Sequence, residues 1–158
     1  MNCEIRLAGT DAEIAACFPV MHELRPHLVC DTFVDRVRSQ ERSGGFRIVS
    51  RSIDGQVVAV AGFRILDNLA WGRLLYVDDL VTSANARSNG HGSALLQWLE
   101  SYAAENGCAR LHLDSGVQRL DAHRFYDREG FARLCIHFAK PVENQANPDD
   151  AVSADIKS

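Results

Sequence analysis

No apolar run in these 158 residues is longer than a strand, so the chain offers no candidate membrane span. Its start, MNCEIRLAGT, lacks the basic opening and apolar core of a signal peptide, and a cytoplasmic protein is expected. Basic residues are in deficit. Seventeen Lys and Arg against 21 Asp and Glu leave a formal net charge of -4, which argues against nucleic acid as the main partner and slightly favours a cationic substrate. Five cysteines (Cys3, Cys17, Cys30, Cys108, Cys135) are scattered and form no CxxC pair. Buried free thiols are expected rather than a disulfide framework. His22, His27, His112, His123 and His137 show no ligand spacing on one helix, and no metal is expected. No internal repeat is present. What remains, 46% hydrophobic and 24% charged, is one ordinary globular domain with a real core.

The hydrophobic pattern divides that domain. Glu4 to Leu7 reads as a strand, and Thr10 with Glu13 three residues on is a capping-box signature. Ile14, Phe18, Met21 and Leu24 recur at helical spacing, with Pro19 expected to kink or split the helix. Asp31 is placed to cap a second helix carrying Val34 and Val37, which Ser43-Gly44-Gly45 ends. The period then changes. Phe46 to Arg51 and Val57 to Ile65 read as strands joined by an Asp54-Gly55 hairpin turn, and Asp67-Asn68 suggests the next turn. Leu74 to Thr82 is a third strand. Leu95, Leu99 and Tyr102, with Trp98 beside them, mark a helix that Gly107 closes. Leu111 to Asp114 gives a strand, Ala122 to Arg128 a short helix ended by Gly130, and Phe131 to Ala139 a last strand. Residues 141–158 are polar and aperiodic, and read as a C-terminal tail. The order predicts an α/β fold: a mixed, mostly antiparallel central sheet flanked by helices, in a single domain over residues 1–140.

Between the third strand and the longest apolar helix lies Arg87-Ser88-Asn89-Gly90-His91-Gly92. Two glycines in front of a helix are enough for a plain turn. They also leave the first helical amides bare, and bare amides at a helix start can hold an anion such as a phosphate. A dinucleotide-binding reading fails, because the glycines follow an antiparallel run and G-x-G-x-x-G with a later acidic partner is missing.

These six residues fit R/Q-x-x-G-x-G/A, and Ala122-His123-Arg124-Phe125-Tyr126-Asp127-Arg128-Glu129-Gly130-Phe131 fits A-x-x-F-Y-x-x-x-G-F. Together with the order of elements over residues 4 to 140, they resemble the GNAT superfamily of N-acetyltransferases. The resemblance implies acetyl-CoA as co-substrate, with the amides of Ser88, Asn89, Gly90, His91, Gly92 and Ser93 around its pyrophosphate. Arg87 would add charge or hold the loop, unless it is a solvated surface arginine. The same resemblance implies that the strand ending at Thr82 splays from its neighbour. The Leu80 amide would then polarise the thioester carbonyl, and the main chains of Val81 and Thr82 would hold the pantetheine arm. Tyr126 takes the role of proton donor to the leaving thiolate, or packs as a core aromatic beside Phe125.

An alkylamine has a pKa near lysine's, about 10.4, and must lose a proton before attack. Asp78 stands where related spermidine/spermine acetyltransferases carry an acidic residue assigned as base, and strand alternation puts it on the face of Leu80, with Asp79 on the other. Binding the ammonium, or relaying its proton through water, are the other roles open to Asp78. Trp71 is placed to line an acceptor pocket or simply to pack. Arg119 departs from the pattern, occupying the position of an asparagine that contacts pantetheine in many members. Asp121 and Ser115 are the candidates to replace it. The function expected is direct transfer from acetyl-CoA to a primary amine, a small molecule in preference to a protein, with room for a homodimer. The other class is a non-catalytic acyl-CoA sensor, which needs the phosphate cradle but neither Tyr126 nor Asp78.

Overall fold

A computed structural model describes residues 1–143; beyond residue 143 the expected tail lies outside the described residues. They fall into two units, one of Met1–Asp114 and one that begins at Ser115. In the first unit, β1 (Cys3–Leu7) leads into α1 (Asp11–Leu24) through the expected capping box. The Glu13 amide donates to Thr10 Oγ1 at 3.2 Å, and the Thr10 amide donates to Glu13 Oε2 at 2.9 Å. Of the two effects expected of Pro19, a split does not occur: α1 is one helix from Asp11 to Leu24. Buried Cys17, Val20 and Met21 on either side of the proline anchor both halves to the core. α2 (Cys30–Gly44) begins at Val29, not Asp31, and has no side-chain cap. Asp31 sits inside the first turn, where its charge complements the helix dipole. Gly45, at φ +66°, closes the helix.

β2 (Arg47–Ile53) and β3 (Gln56–Asn68) are joined by Asp54-Gly55, both at positive φ, the two-residue turn that matches strand twist. β3 continues through the expected Asp67-Asn68 turn, because these residues still pair with Arg73 and Gly72. The chain reverses at residues 69–71 instead, where the Trp71 amide donates to Asn68 Oδ1 at 2.7 Å. β4 (Gly72–Thr82), α3 (His91–Glu105) and β5 (Arg110–Leu113) complete the unit. The sheet order is β1-β2-β3-β4-β5, antiparallel except for the β4–β5 pair, which the α3 crossover makes parallel.

One sheet face is covered by α1 and α2, where Ile14, Cys17, Phe33 and Val37 pack on Ile48, Val60 and Val81. The alternate residues of β3 serve α3: Phe63 meets Trp98 and Tyr102 at ring distances of 6.2 and 5.3 Å. Of the five thiols only Cys17 is fully buried, while Cys3, Cys30 and Cys135 are exposed, so the expectation of buried cysteines fails for those three. No helix among the described residues is long and apolar enough to cross a membrane.

The second unit holds α4 (Leu120–Arg128), followed by Gly130 at φ +87°. Residues 131–143 carry no regular secondary structure, so the strand expected over Phe131 to Ala139 is not formed. Alternation alone does not make a strand; a ladder partner does. Here Leu134, Ile136 and Phe138 are exposed, and Arg133 turns back to Asp127 of α4 at 2.7 Å.

Candidate functional site

The glycine turn from which an anion cradle is expected stands at the start of α3. Ser88 and Gly90 both adopt positive φ, +64° and +72°, and Gly90 is the N-cap with no side-chain cap bond. The first helical hydrogen bond runs from the Ala94 amide to the Gly90 carbonyl at 3.0 Å. The amides of His91 and Gly92 therefore precede the first helical hydrogen bond and have no acceptor within the helix. Asn89 steadies the turn by donating from its side chain to the carbonyls of Ala86 and Arg87. The His91 imidazole is only 6% exposed, and burial lowers its pKa, with the Arg51 cation adding to the effect. Its Nδ1, like Arg51 Nε, is sequestered with no partner among the described residues. Arg87 is exposed.

A second feature lies one strand away. β5 pairs with β4 only from Leu74 to Val77, while β4 runs on to Thr82. β4 thus runs on past the end of β5, and its upper arm, which has no β5 ladder partner among the described residues, opens a fork at that edge. The orientation of that arm follows from one bond. Ser83 N donates to Val58 O at 2.8 Å, and in an antiparallel ladder the bonded pairs alternate. Val81 and Asp79 then bond to β3, and the amides of Leu80 and Thr82 point away from it, into the fork. This corrects the placing of Val81: its main chain is committed to β3 and its side chain is buried. The outward pair is Leu80 and Thr82.

Asp78 is also placed differently from the sequence expectation. On β4 the ladder passes from Asp79 to Val77 while β3 advances only from Gly62 to Phe63, so Asp78 is the extra residue of a bulge. Strict alternation fails there. Asp78 and Asp79 both turn to the α1/α2 face, while Leu80 pairs with Ala61 on the α3 face. Arg64 Nε donates to Asp78 Oδ2 at 3.0 Å, and Arg64 is itself fixed by Gln40 of α2 at 3.1 Å. Arg25, which ends α1, donates to Asp79 Oδ1 at 2.8 Å and to the Asp78 carbonyl at 3.1 Å. Gly62 is required beneath this pair, because a Cβ there would come within 2.5 Å of Phe46 and 2.7 Å of Asp79 Oδ2. At the other end of the open arm, Glu23 accepts from Ser83 Oγ at 3.0 Å and from the Ala84 amide at 2.8 Å. The C-terminal end of α1 therefore grips the open β4 segment at both ends. Partial burial raises the Asp78 pKa, the Arg64 hydrogen bond and charge oppose the rise, and Asp79 adds to it.

Sequence reasoning missed Tyr76 and Asp114, whose side chains meet beside the fork: the Tyr76 hydroxyl donates to Asp114 Oδ2. Burial raises the Tyr76 pKa, and the Asp114 hydrogen bond and charge raise it further, so the phenol stays protonated. Tyr76 is the ladder partner of His112, and Trp71 packs edge-on to His112 at 5.2 Å. Arg110 lies over Trp71 at 4.8 Å, so Trp71 does pack.

In the second unit Tyr126 lies on α4 between Phe125 and Phe131, at ring distances of 5.3 and 5.6 Å. Burial raises its pKa, with the Arg119 cation opposing, and keeps the phenol protonated at neutral pH. Of the two candidates to replace the missing asparagine, Asp121 is engaged by Arg124. Ser115 Oγ is buried with no partner among the described residues.

The acetyltransferase (GNAT) family model matches residues 12–131. The chain is 34% identical over 131 residues to the uncharacterized N-acetyltransferase YhdJ of Bacillus subtilis, covering 82% of this chain and 92% of that protein. It is 28% identical over 143 residues to the aminoalkylphosphonate N-acetyltransferase of Salmonella typhimurium, covering 89% and 92%. A solved structure of the aminoglycoside N-acetyltransferase AAC(6')-Iy in complex with CoA superposes with a TM-score of 0.79 at 12% identity, covering 90% of this chain and 96% of that one. The chain belongs to the GNAT family and is an acetyl-CoA-dependent N-acetyltransferase.

Proposed function

We propose that the protein transfers acetyl from acetyl-CoA directly to a primary amine of a small cationic molecule, with both substrates bound at once. The observation that carries this reading is the fork. Its outward Leu80 and Thr82 amides lie on the strand that leads into the bare amides of α3, and two carboxylates crowd its α1/α2 side. The Leu80 amide is the donor for the thioester carbonyl oxygen, aimed at charge that develops during attack. Leu80 and Thr82 offer edge hydrogen bonds to an extended pantetheine arm. The amides from Ser88 to Ser93, with the dipole of a 15-residue helix behind them, suit the pyrophosphate. Asp78 takes the ammonium proton, and Tyr126 gives a proton to the departing thiolate.

Preference for a small acceptor is supported by the Salmonella relative, which by name acts on an aminoalkylphosphonate, and by the net charge of -4. The test is acetyl-CoA turnover with an aminoalkylphosphonate, an aminoglycoside, a polyamine and a lysine-bearing peptide. Thiol release with one of the small amines, and initial-rate plots that intersect, are expected. Parallel plots would point to an acetylated enzyme instead of direct attack. Turnover with the peptide alone would overturn the small-molecule assignment.

A further inference from the structure

We propose that Glu23, in the last turn of α1, is a positioning residue for acyl-CoA binding: it sets the corner between the open β4 arm and the α3 glycine turn so that one molecule spans both. The inference deepens the placing of acyl-CoA proposed above and rests on it. Thr82 ends β4, and Gly90 caps α3. Residues 83–89 between them decide the angle and distance from one to the other.

That connection is braced from within. The Ala86 amide donates to the Ser83 carbonyl at 2.8 Å, and the Asn89 side chain donates to the carbonyls of Ala86 and Arg87 at 3.1 and 3.2 Å. Such bonds preserve the shape of the connection but do not set it against the sheet. Ser83 supplies the attachment. Its amide donates to the Val58 carbonyl of β3 at 2.8 Å, a single bond about which the chain can still turn. Glu23 adds two more from the side of α1. Its Oε1 accepts from Ser83 Oγ at 3.0 Å, and its Oε2 accepts from the Ala84 amide at 2.8 Å. One carboxylate gripping donors on adjacent residues resists that turning.

The helix gains nothing from this side chain, because its dipole disfavours negative charge in the last turn. Charge alone would also make Glu23 a hindrance, since a carboxylate repels an anionic ligand and its removal should tighten CoA binding. Positioning predicts the reverse. Two weak contacts joined in one ligand reinforce each other only while their sites are held at the ligand's span. The two accounts therefore differ in sign.

The test compares CoA with its two parts, pantetheine and ADP, each titrated separately and followed by NMR shifts. Glu23 is exposed, so replacing it leaves the core intact. In Glu23→Ala, CoA should bind about 10-fold more weakly, while pantetheine and ADP each keep their wild-type affinity. Glu23→Gln should recover most of the loss, because its amide oxygen can accept from Ala84 and its NH2 can donate to Ser83 Oγ. Ser83→Ala removes one of the two donors and should show the same pattern to a smaller extent. CoA affinity that is unchanged or raised in Glu23→Ala would overturn the proposal. So would an equal loss with pantetheine or ADP alone, which marks damage to one half rather than to their spacing. A wild-type protein that binds neither CoA nor either part overturns the placing of acyl-CoA itself, and the proposal with it.

Discussion

Burial lifts the Asp78 carboxyl above its ordinary range while Arg64 pulls it back, and that opposition has a measurable consequence if Asp78 is the base. A base works only when deprotonated, so the acid limb of the kcat profile should lie above the usual carboxylate range of about 3.9. Arg64→Gln removes the lowering partner and should move that limb to higher pH. Asp78→Asn should depress turnover most below the amine's own pKa, and rising pH should partly restore it as free amine accumulates. A loss of constant size across that range would leave Asp78 a binding or structural role. Tyr126 gives the opposite sign of test. Its raised pKa keeps the proton in place at neutral pH. Tyr126→Phe keeps the ring between Phe125 and Phe131 and removes only the hydroxyl, so CoA affinity should hold while kcat falls by about 10² to 10⁴. An unchanged kcat, with chemistry shown to limit the rate, would remove Tyr126 from the reaction.

The elements that shape the site differ in how plainly the sequence announces them. The start of α3 is legible because Gly90 and Gly92 have few other uses in front of a fifteen-residue helix, and Gly90 indeed sits at φ +72°. Gly92→Glu places bulk and negative charge among the bare amides, and should abolish CoA binding with the fold retained. Calorimetry showing normal affinity in a folded variant would contradict the cradle. The β4 bulge is not legible. Alternation assigns Asp78 and Leu80 to one face, and a single extra residue at Asp78 reverses that assignment. The cations over the two aspartates were hidden for another reason: Arg25 lies 54 residues from Asp79 and Arg64 14 residues from Asp78 in sequence, and only the packing of α1 and the sheet unites them. Tyr76 and Asp114 belong to the same class, since a strand pattern does not state its partner's register. The segment 131–139 errs the other way, with clear alternation and no ladder.

In the molecule as a whole, the capping box starts α1, and α1 carries Glu23 and Arg25 to the two ends of the open β4 arm. The glycine turn then directs the chain from that arm into α3. The fork and the cradle thus share one strand and one helix start within Met1–Asp114, and the central claim is that they form one acyl-CoA site. Amide hydrogen exchange followed by NMR, with and without CoA, tests this most directly. In the free protein the Asp79 and Val81 amides, bonded to β3, should exchange slowly, and those of Leu80 and Thr82 faster. On binding CoA, protection should rise together at Leu80, Thr82 and His91 to Ser93. A protein that binds CoA while these amides exchange as before would contradict the account.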